Sequence, residues 1–236
     1  KVVKVHDPAC LVEDAIDAAV VGGMVERGIT ALTGQDLPAS FASLFTPQDV
    51  VGIKVNPVGP PLISVKHEVV QALVAWLEAG GVARDRIVIW DRFEGMLTEA
   101  GFTAERYPGI RLVGLQSEPD GDASFKDSRG THISELNFDR SASYLAAGVE
   151  GGAGGYHETD DSYLRQHMVK GEHSYFGKLV TTELTKIINV ASFKNTGNGV
   201  SMATKNLGYG AINNTGRLHS PLFFRVCTEV CAAPWI

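Results

Sequence analysis

The sequence predicts an α/β fold, a mainly parallel sheet flanked by helices with a long irregular insertion, and three observations carry this expectation. A β-branched apolar run, VVGIKV, leads through a Pro/Gly turn region, NPVGPPLI, into a helix-like stretch, SVKHEVVQALVAWLEAGG, and then a second apolar run, RIVIWD. Strand, helix, strand at this length is a βαβ unit, and the right-handed crossover rule makes its strands parallel. The alternation continues through EGMLTEAGF and GIRLVGLQ, and order resumes late in the chain at KIINV.

Taken in order, KVVKV suits a short opening strand, and LVEDAIDAAVVGGMVERGITALTG suits one or two amphipathic helices ending near Gly34. In the helix of the βαβ unit, Val69, Val70, Leu73, Val74 and Leu77 form the apolar stripe. Ser64 is its expected N-cap and Gly80-Gly81 its stop. Residues 117–131 are polar and turn-rich. Residues 141–177, with the Gly-rich AAGVEGGAGGYHETDD, lose periodicity and read as an insertion or flap over the body. NGVSMATKNLGYGAI reads as a short helix starting near 197–200, and CTEVCAAPWI as the last turns of another. A single domain spanning 1–236 accounts for this order, since no linker-like tract divides the chain.

With 21 Lys+Arg against 27 Asp+Glu and a net charge of -6, the chain lacks the gathered basic face that nucleic-acid binding requires. Its apolar runs stop well short of the roughly 20 residues of a membrane-spanning helix. Cys10, Cys227 and Cys231 are too few for a disulfide scaffold. No G-x-S-x-G, Walker A or dinucleotide fingerprint occurs, which removes the simpler hydrolase, nucleoside-triphosphatase and nicotinamide readings.

Against that acidic background, FKNTGNGVSMATKNLGYGAINNTGRLH holds Lys194, Lys205, Arg217, His219 and five asparagines without one Asp or Glu. In open α/β sheets ligands bind beyond the carboxyl ends of the strands. Those ends here carry Lys54 and Asn56, Asp91 with Arg92, and Lys194 with Asn195. Lys205 and Asn206 follow on the short helix. Such donors, with the free amides of a helix start, suit an anion: phosphate, carboxylate or a developing enolate. Lys54, Lys194 and Lys205 would bind it, and Asn56, Asn195 and Asn206 would orient it. Asp91 would hold a lysine or move a proton, and Arg217 and His219 would close the rim; Asp91, Lys194 and His219 are the catalytic candidates. The rival explanation is that NTGNG and NNTG are ordinary turns, since Asn and Gly tolerate positive φ. It leaves unexplained why the Lys-Asn pairs follow apolar, strand-like runs.

Weaker signals lie elsewhere. Cys227 and Cys231, four apart on a helix, fit buried structural thiols better than a metal site. HETDD, with His157, Glu158, Asp160 and Asp161, fits a solvated acidic loop better than a cation site. No metal is expected, and no cofactor is specified.

VGIKVNPVG followed by SVKHEVVQALVAWLEAGGVARDRIVIWDR, and then KIINVASFKNTGNGVSMATKNLGYGAINNTGRLH, resembles the domain-of-unknown-function family numbered 362. Members of that family show a similar lysine-asparagine segment before a His/Val-rich helix, an I-x-I-x-D-like strand, and a later G-V-(S/T)-x-x-x-K-N block. The resemblance implies an exported, periplasmic protein of the twin-arginine-leader type, continuing beyond residue 236. It also implies proximity to iron-sulfur proteins, hence a redox partner protein and oxidoreductase chemistry. The repeated C-x-x-C ligands of a ferredoxin module are absent from the sequence, which argues against an intrinsic iron-sulfur centre. The first βαβ block is faintly similar to the N-terminal domain of nickel-pincer lactate racemases, too generally to carry cofactor residues across. The expected function is therefore an anion-binding pocket on an exported α/β protein, an enzyme of redox or isomerase type acting on a small carboxylated or phosphorylated compound. The alternatives are a noncatalytic envelope binding protein, or a subunit of a larger assembly in an oligomer.

Overall fold

The computed structural model describes residues 1–116, 137–145, 173–196, 199–213, 215, 218 and 223–236. The opening KVVKV is not a strand. Val2 is exposed, and Val5 lies over Gly28 of the first helix, so these residues follow a helix surface instead of a sheet edge. After a single 3-10 turn at Pro8–Cys10, the next stretch turns back before any α-helix begins. β1 (Leu11–Val12) and β2 (Ala15–Ile16) form a minimal antiparallel hairpin through Glu13 and Asp14, at φ 47° and 65°. Two left-handed residues in succession make the tight turn whose twist matches flanking strands. Helix α1 (Ala18–Thr33) starts after Asp17, whose carboxylate accepts from the amides of Ala19 and Val20, and ends at Gly34 with φ 76°. Helix α2 (Leu37–Leu44) follows, capped by Asp36 with Pro38 in its first turn.

The expected βαβ unit is present as β3 (Val51–Lys54), α3 (His67–Ala79) and β4 (Ile87–Phe93), with Ile53 opposite Ile89 and Lys54 opposite Trp90 in a parallel ladder. Helix α3 starts after Lys66, not at Ser64. The Val65 amide donates to the Asn56 carbonyl at 2.9 Å, which ties the preceding chain back to the strand end and postpones the helix. Within the expected stripe Val70, Val74 and Leu77 are buried, while Val69 and Leu73 are half-buried.

Next come α4 (Glu94–Glu99) and β5 (Arg111–Gln116), and then β6 (Phe138–Leu145) paired antiparallel with β7 (His173–Gly177). Both described ends of the stretch 141–177, read from the sequence as an insertion or flap, are strands of one ladder. Phe138, Ala142 and Phe176 of this pair are buried in one core cluster, although polar neighbours break the sequence pattern. Residues 117–136 and 146–172, including HETDD, lie outside the described residues. The chain then runs through β8 (Lys186–Asn189), a hairpin of β9 (Lys194–Thr196) and β10 (Gly199–Ser201), α5 (Ala203–Gly210) and α6 (Phe223–Cys231).

The central sheet has the order β5-β4-β3-β8, all parallel. Parallel strands covered on both faces should be apolar at consecutive positions, and β4 is buried at all seven of its residues. Ile87 and Ile89 join Ile53, Val70 and Leu77 on the α3 side. Val88 and Trp90 join Leu207, Val226 and Phe176 on the other. Each such side chain, fully withdrawn from water, contributes about 1.5–3 kcal/mol before entropy is counted. The α/β class, with helices on both faces of a parallel sheet, is thus present as expected.

Candidate functional site

Period-two alternation puts Gly52, Lys54 and Trp90 on the face of the sheet that α5 covers, because parallel partners in register share a face. Lys54 closes β3 and is 1% exposed. Helix α5 passes directly over it, and Gly210 makes that passage feasible: a Cβ there would stand 2.2 Å from Lys54 Cε. The Lys54 Nζ donates to Asp91 Oδ1, to the Val55 carbonyl at 2.8 Å and to Asn206 Oδ1 at 3.1 Å. Three acceptors use all three protons of an ammonium. Burial pushes Lys54 below the ordinary lysine range, and the Asp91 carboxylate opposes that push. The full set of acceptors fits the charged form, so the pair is an ion pair.

Asn206 extends this junction into a network. Its Nδ2 donates to Asn189 Oδ1 at 2.8 Å, and Asn189 Nδ2 donates to the Ala203 carbonyl at 2.7 Å. Asn189 ends β8 as Lys54 ends β3, so two strand ends are laced to one short helix. Nothing in the spacing of KIIN singled out Asn189; its place at the end of an apolar run was the available signal.

A second pair forms at the mouth. Lys194, on β9, donates from Nζ to Asn56 Oδ1 at 2.9 Å. It is held below its usual range by burial and then by the positive charge of Lys205, with Asp91 opposing and Lys54 adding to the lowering. Lys205, half-buried on α5, is lowered chiefly by burial. Beside Asp91, the Arg92 guanidinium donates to Gln116 Oε1 at 2.6 Å and to Thr215 Oγ1, and lies 4.9 Å from the Phe93 ring centre.

These side chains wall a cavity of about 270 Å³ at the carboxyl end of the parallel sheet. Lys54, Asn56, Asp91, Lys194, Asn195, Lys205 and Asn206 all line it, as do Arg92, Thr196, Ser201 and Tyr209. Thr215 and Gly210 also line it, and Pro57, Val58, Ile63, Phe93 and Met96 form an apolar part of the wall. Arg217 and His219 lie outside the described residues.

Two expectations about this site need correction. Of the stretch 197–200, the described residues 199 and 200 do not open a helix. Gly199–Ser201 is a strand paired with Lys194–Thr196, and α5 begins at Ala203 with no side-chain cap. The β9–β10 ladder takes up backbone groups of Gly199–Ser201, and the uncapped helix start lies further along, at Ala203. Lys54 also has no proton to spare for a guest, because its donors are spent on the protein. In the cavity wall it ties Asp91 to α5, and Lys194 and Lys205 line the same space. Arg92, expected with Asp91 at a strand end, does line the cavity, whereas the apolar wall was not among the expected site residues.

Among the described residues no group of three or more His, Cys, Asp or Glu side chains could hold a metal ion, and no helix is long and apolar enough to cross a membrane. Cys227, buried on α6, has its thiol pushed up to about 11, first by burial and then by Cys231, so it is not an activated nucleophile. Comparison of the chain with protein-family models, with curated proteins and with solved structures gives no match.

Proposed function

We propose that the cavity takes a small carboxylated or phosphorylated compound and that the protein acts on it as an enzyme. The observation that carries this reading is a local reversal of charge. In a chain of net charge -6, the described residues lining the cavity include four cations, Lys54, Arg92, Lys194 and Lys205, against one carboxylate, Asp91. Like charges brought together and partly desolvated destabilise the empty site, and an anion relieves that cost. A volume of about 270 Å³ lies below the roughly 300–1,000 Å³ of pockets for drug-sized ligands, which favours a compact acid over a nucleotide.

The enzymatic part of the reading rests on Asp91. A capture protein needs only charged lysines, whereas here a lysine displaced from its usual range is locked to a carboxylate in the cavity wall. Lys194 and Lys205 bind the anion, Asn56 and Asn195 orient it, and the Lys54–Asp91 pair supplies a fixed dipole beside it. An exported location and redox or isomerase chemistry belong to this proposal through the family resemblance alone.

The test is calorimetric titration at low salt with phosphate and with propanoate. Saturable binding of either, lost in Lys194→Met/Lys205→Met, supports the reading; heats indistinguishable from dilution for both probes overturn it.

A further inference from the structure

Lys194 differs from its two neighbours in how its nitrogen is held. Lys54 is surrounded by three protein acceptors, and Lys205 is the more deeply set of the two remaining lysines. The Lys194 Nζ donates to Asn56 Oδ1, and no carboxylate of the described residues lies within 4.0 Å of it. Its backbone is fixed, since it stands opposite Ser201 in the β9–β10 ladder. The side chain is half-buried and reaches a cavity that also holds Lys205 and an apolar wall.

A lysine amine attacks a carbonyl only when neutral, and two environments make it neutral below its ordinary range: an apolar pocket and an adjacent cation. Both act on Lys194, because it is half withdrawn from water in a partly apolar cavity and the charges of Lys205 and Lys54 reach it. The single bond to Asn56 orients the nitrogen without using up its remaining valences. Meanwhile Lys205 is a cation positioned in the same space, suited to a carboxylate.

We propose that Lys194 is a carbonyl-trapping nucleophile, condensing with a small oxo acid whose carboxylate is held by Lys205. This rests on the anion-pocket reading and adds the chemical class of its guest. The neutral amine nitrogen forms a bond to the carbonyl carbon, giving a carbinolamine. The hydroxyl then leaves as water, carrying off the former carbonyl oxygen, and the nitrogen is left as an iminium. Amine, carbonyl compound and one proton from solvent thus give iminium and water, with no change of oxidation state. The iminium withdraws electrons from the neighbouring carbons, which is the usual purpose of such a lysine.

The test uses the full chain incubated with pyruvate or 4-oxopentanoate and sodium cyanoborohydride, followed by intact mass and peptide mapping. The expected result is one dominant adduct on Lys194, formed at least tenfold faster than on any surface lysine and slowed by propanoate. It disappears in Lys194→Arg and falls about tenfold in Lys205→Met, a fold-change typical of losing one charge-assisted contact. Adducts scattered over surface lysines, or an unchanged adduct in Lys194→Arg, overturn the proposal. If propanoate binds by calorimetry yet no adduct forms with either oxo acid, the covalent step is wrong and the anion pocket stands. If neither propanoate nor phosphate binds, both readings fall together. Wild-type trapping with both oxo acids keeps the test decisive should a variant misfold.

Discussion

Lys54 and Asp91, from neighbouring parallel strands, meet as an ion pair with side chains only 1% and 9% exposed. Breaking such a pair from one side leaves an uncompensated charge in a low-dielectric interior. Lys54→Met is therefore expected to cost about 3–5 kcal/mol of folding stability, whereas Lys54→Met/Asp91→Leu, which removes both charges, should cost clearly less. Urea unfolding of the two variants measures this, and equal losses would show that the charges do not act as a pair.

Gly210 permits the approach of α5 to Lys54. A methyl group there meets Lys54 Cε at 2.2 Å and Nζ at 2.8 Å, so either the lysine or the helix must move. Gly210→Ala is expected to lose about 1–3 kcal/mol despite the better helix propensity of alanine, because overpacking dominates. A stabilised Gly210→Ala would mean that the ammonium can be accommodated elsewhere.

In the empty cavity the charge of Lys205 disfavours a charged Lys194, and burial disfavours the charge on both; in the proposed filled cavity the two share a ligand. Each single change to Met is expected to reduce affinity for a bound anion by about 10–100-fold, corresponding to about 1.5–3 kcal/mol for a lost charge-assisted contact. The same changes should leave the empty protein as stable as before or slightly more so. Calorimetry and thermal melts separate the two effects; a variant that loses stability and binding in parallel would contradict the assignment.

His67, at the start of α3, sits between the Tyr107 hydroxyl and the Ala100 carbonyl, each 2.8 Å from a ring nitrogen. Donation to Ala100 and acceptance from Tyr107 satisfy a neutral ring, and burial holds its pKa below the usual histidine value, with Ala100 opposing. Below about pH 6.5 the unfolded chain takes up a proton that the folded ring resists. That contribution to stability is therefore full above the unfolded pKa and is lost as pH falls toward the folded one. His67→Gln should show a shallower loss of stability between neutral and mildly acidic pH than the wild type, measured by urea midpoints; identical slopes would refute it.

How much of this was legible in the sequence depends on which forces act locally. The βαβ unit could be read because Ile53, Ile87 and Ile89 are buried in a sheet covered on both faces, and burial of that kind leaves unbroken apolar runs. The strand ends could then be found, and with them Lys54, Asn56, Asp91 and Lys194. The hairpin at Leu11–Ile16 was hidden because Glu13 and Asp14 take left-handed φ with no glycine to mark the turn. The β6–β7 pair was hidden because residues distant in sequence supply each other's partners. Which way a donor points was out of reach: that Lys54 spends its protons on Asp91, Val55 and Asn206 follows from α5 lying over the sheet.

The central claim is that Lys194 and Lys205 face one anion in common, and pH titration of their side-chain nitrogens by NMR, in protein carrying nitrogen-15 lysine, tests it most directly. In the empty protein both should titrate below the ordinary lysine value, from burial and, for Lys194, from the neighbouring charge of Lys205. Saturating phosphate or propanoate should move both upward together, because a bound anion favours the charged form. Two lysines that titrate normally in the empty protein and ignore both anions would contradict the account.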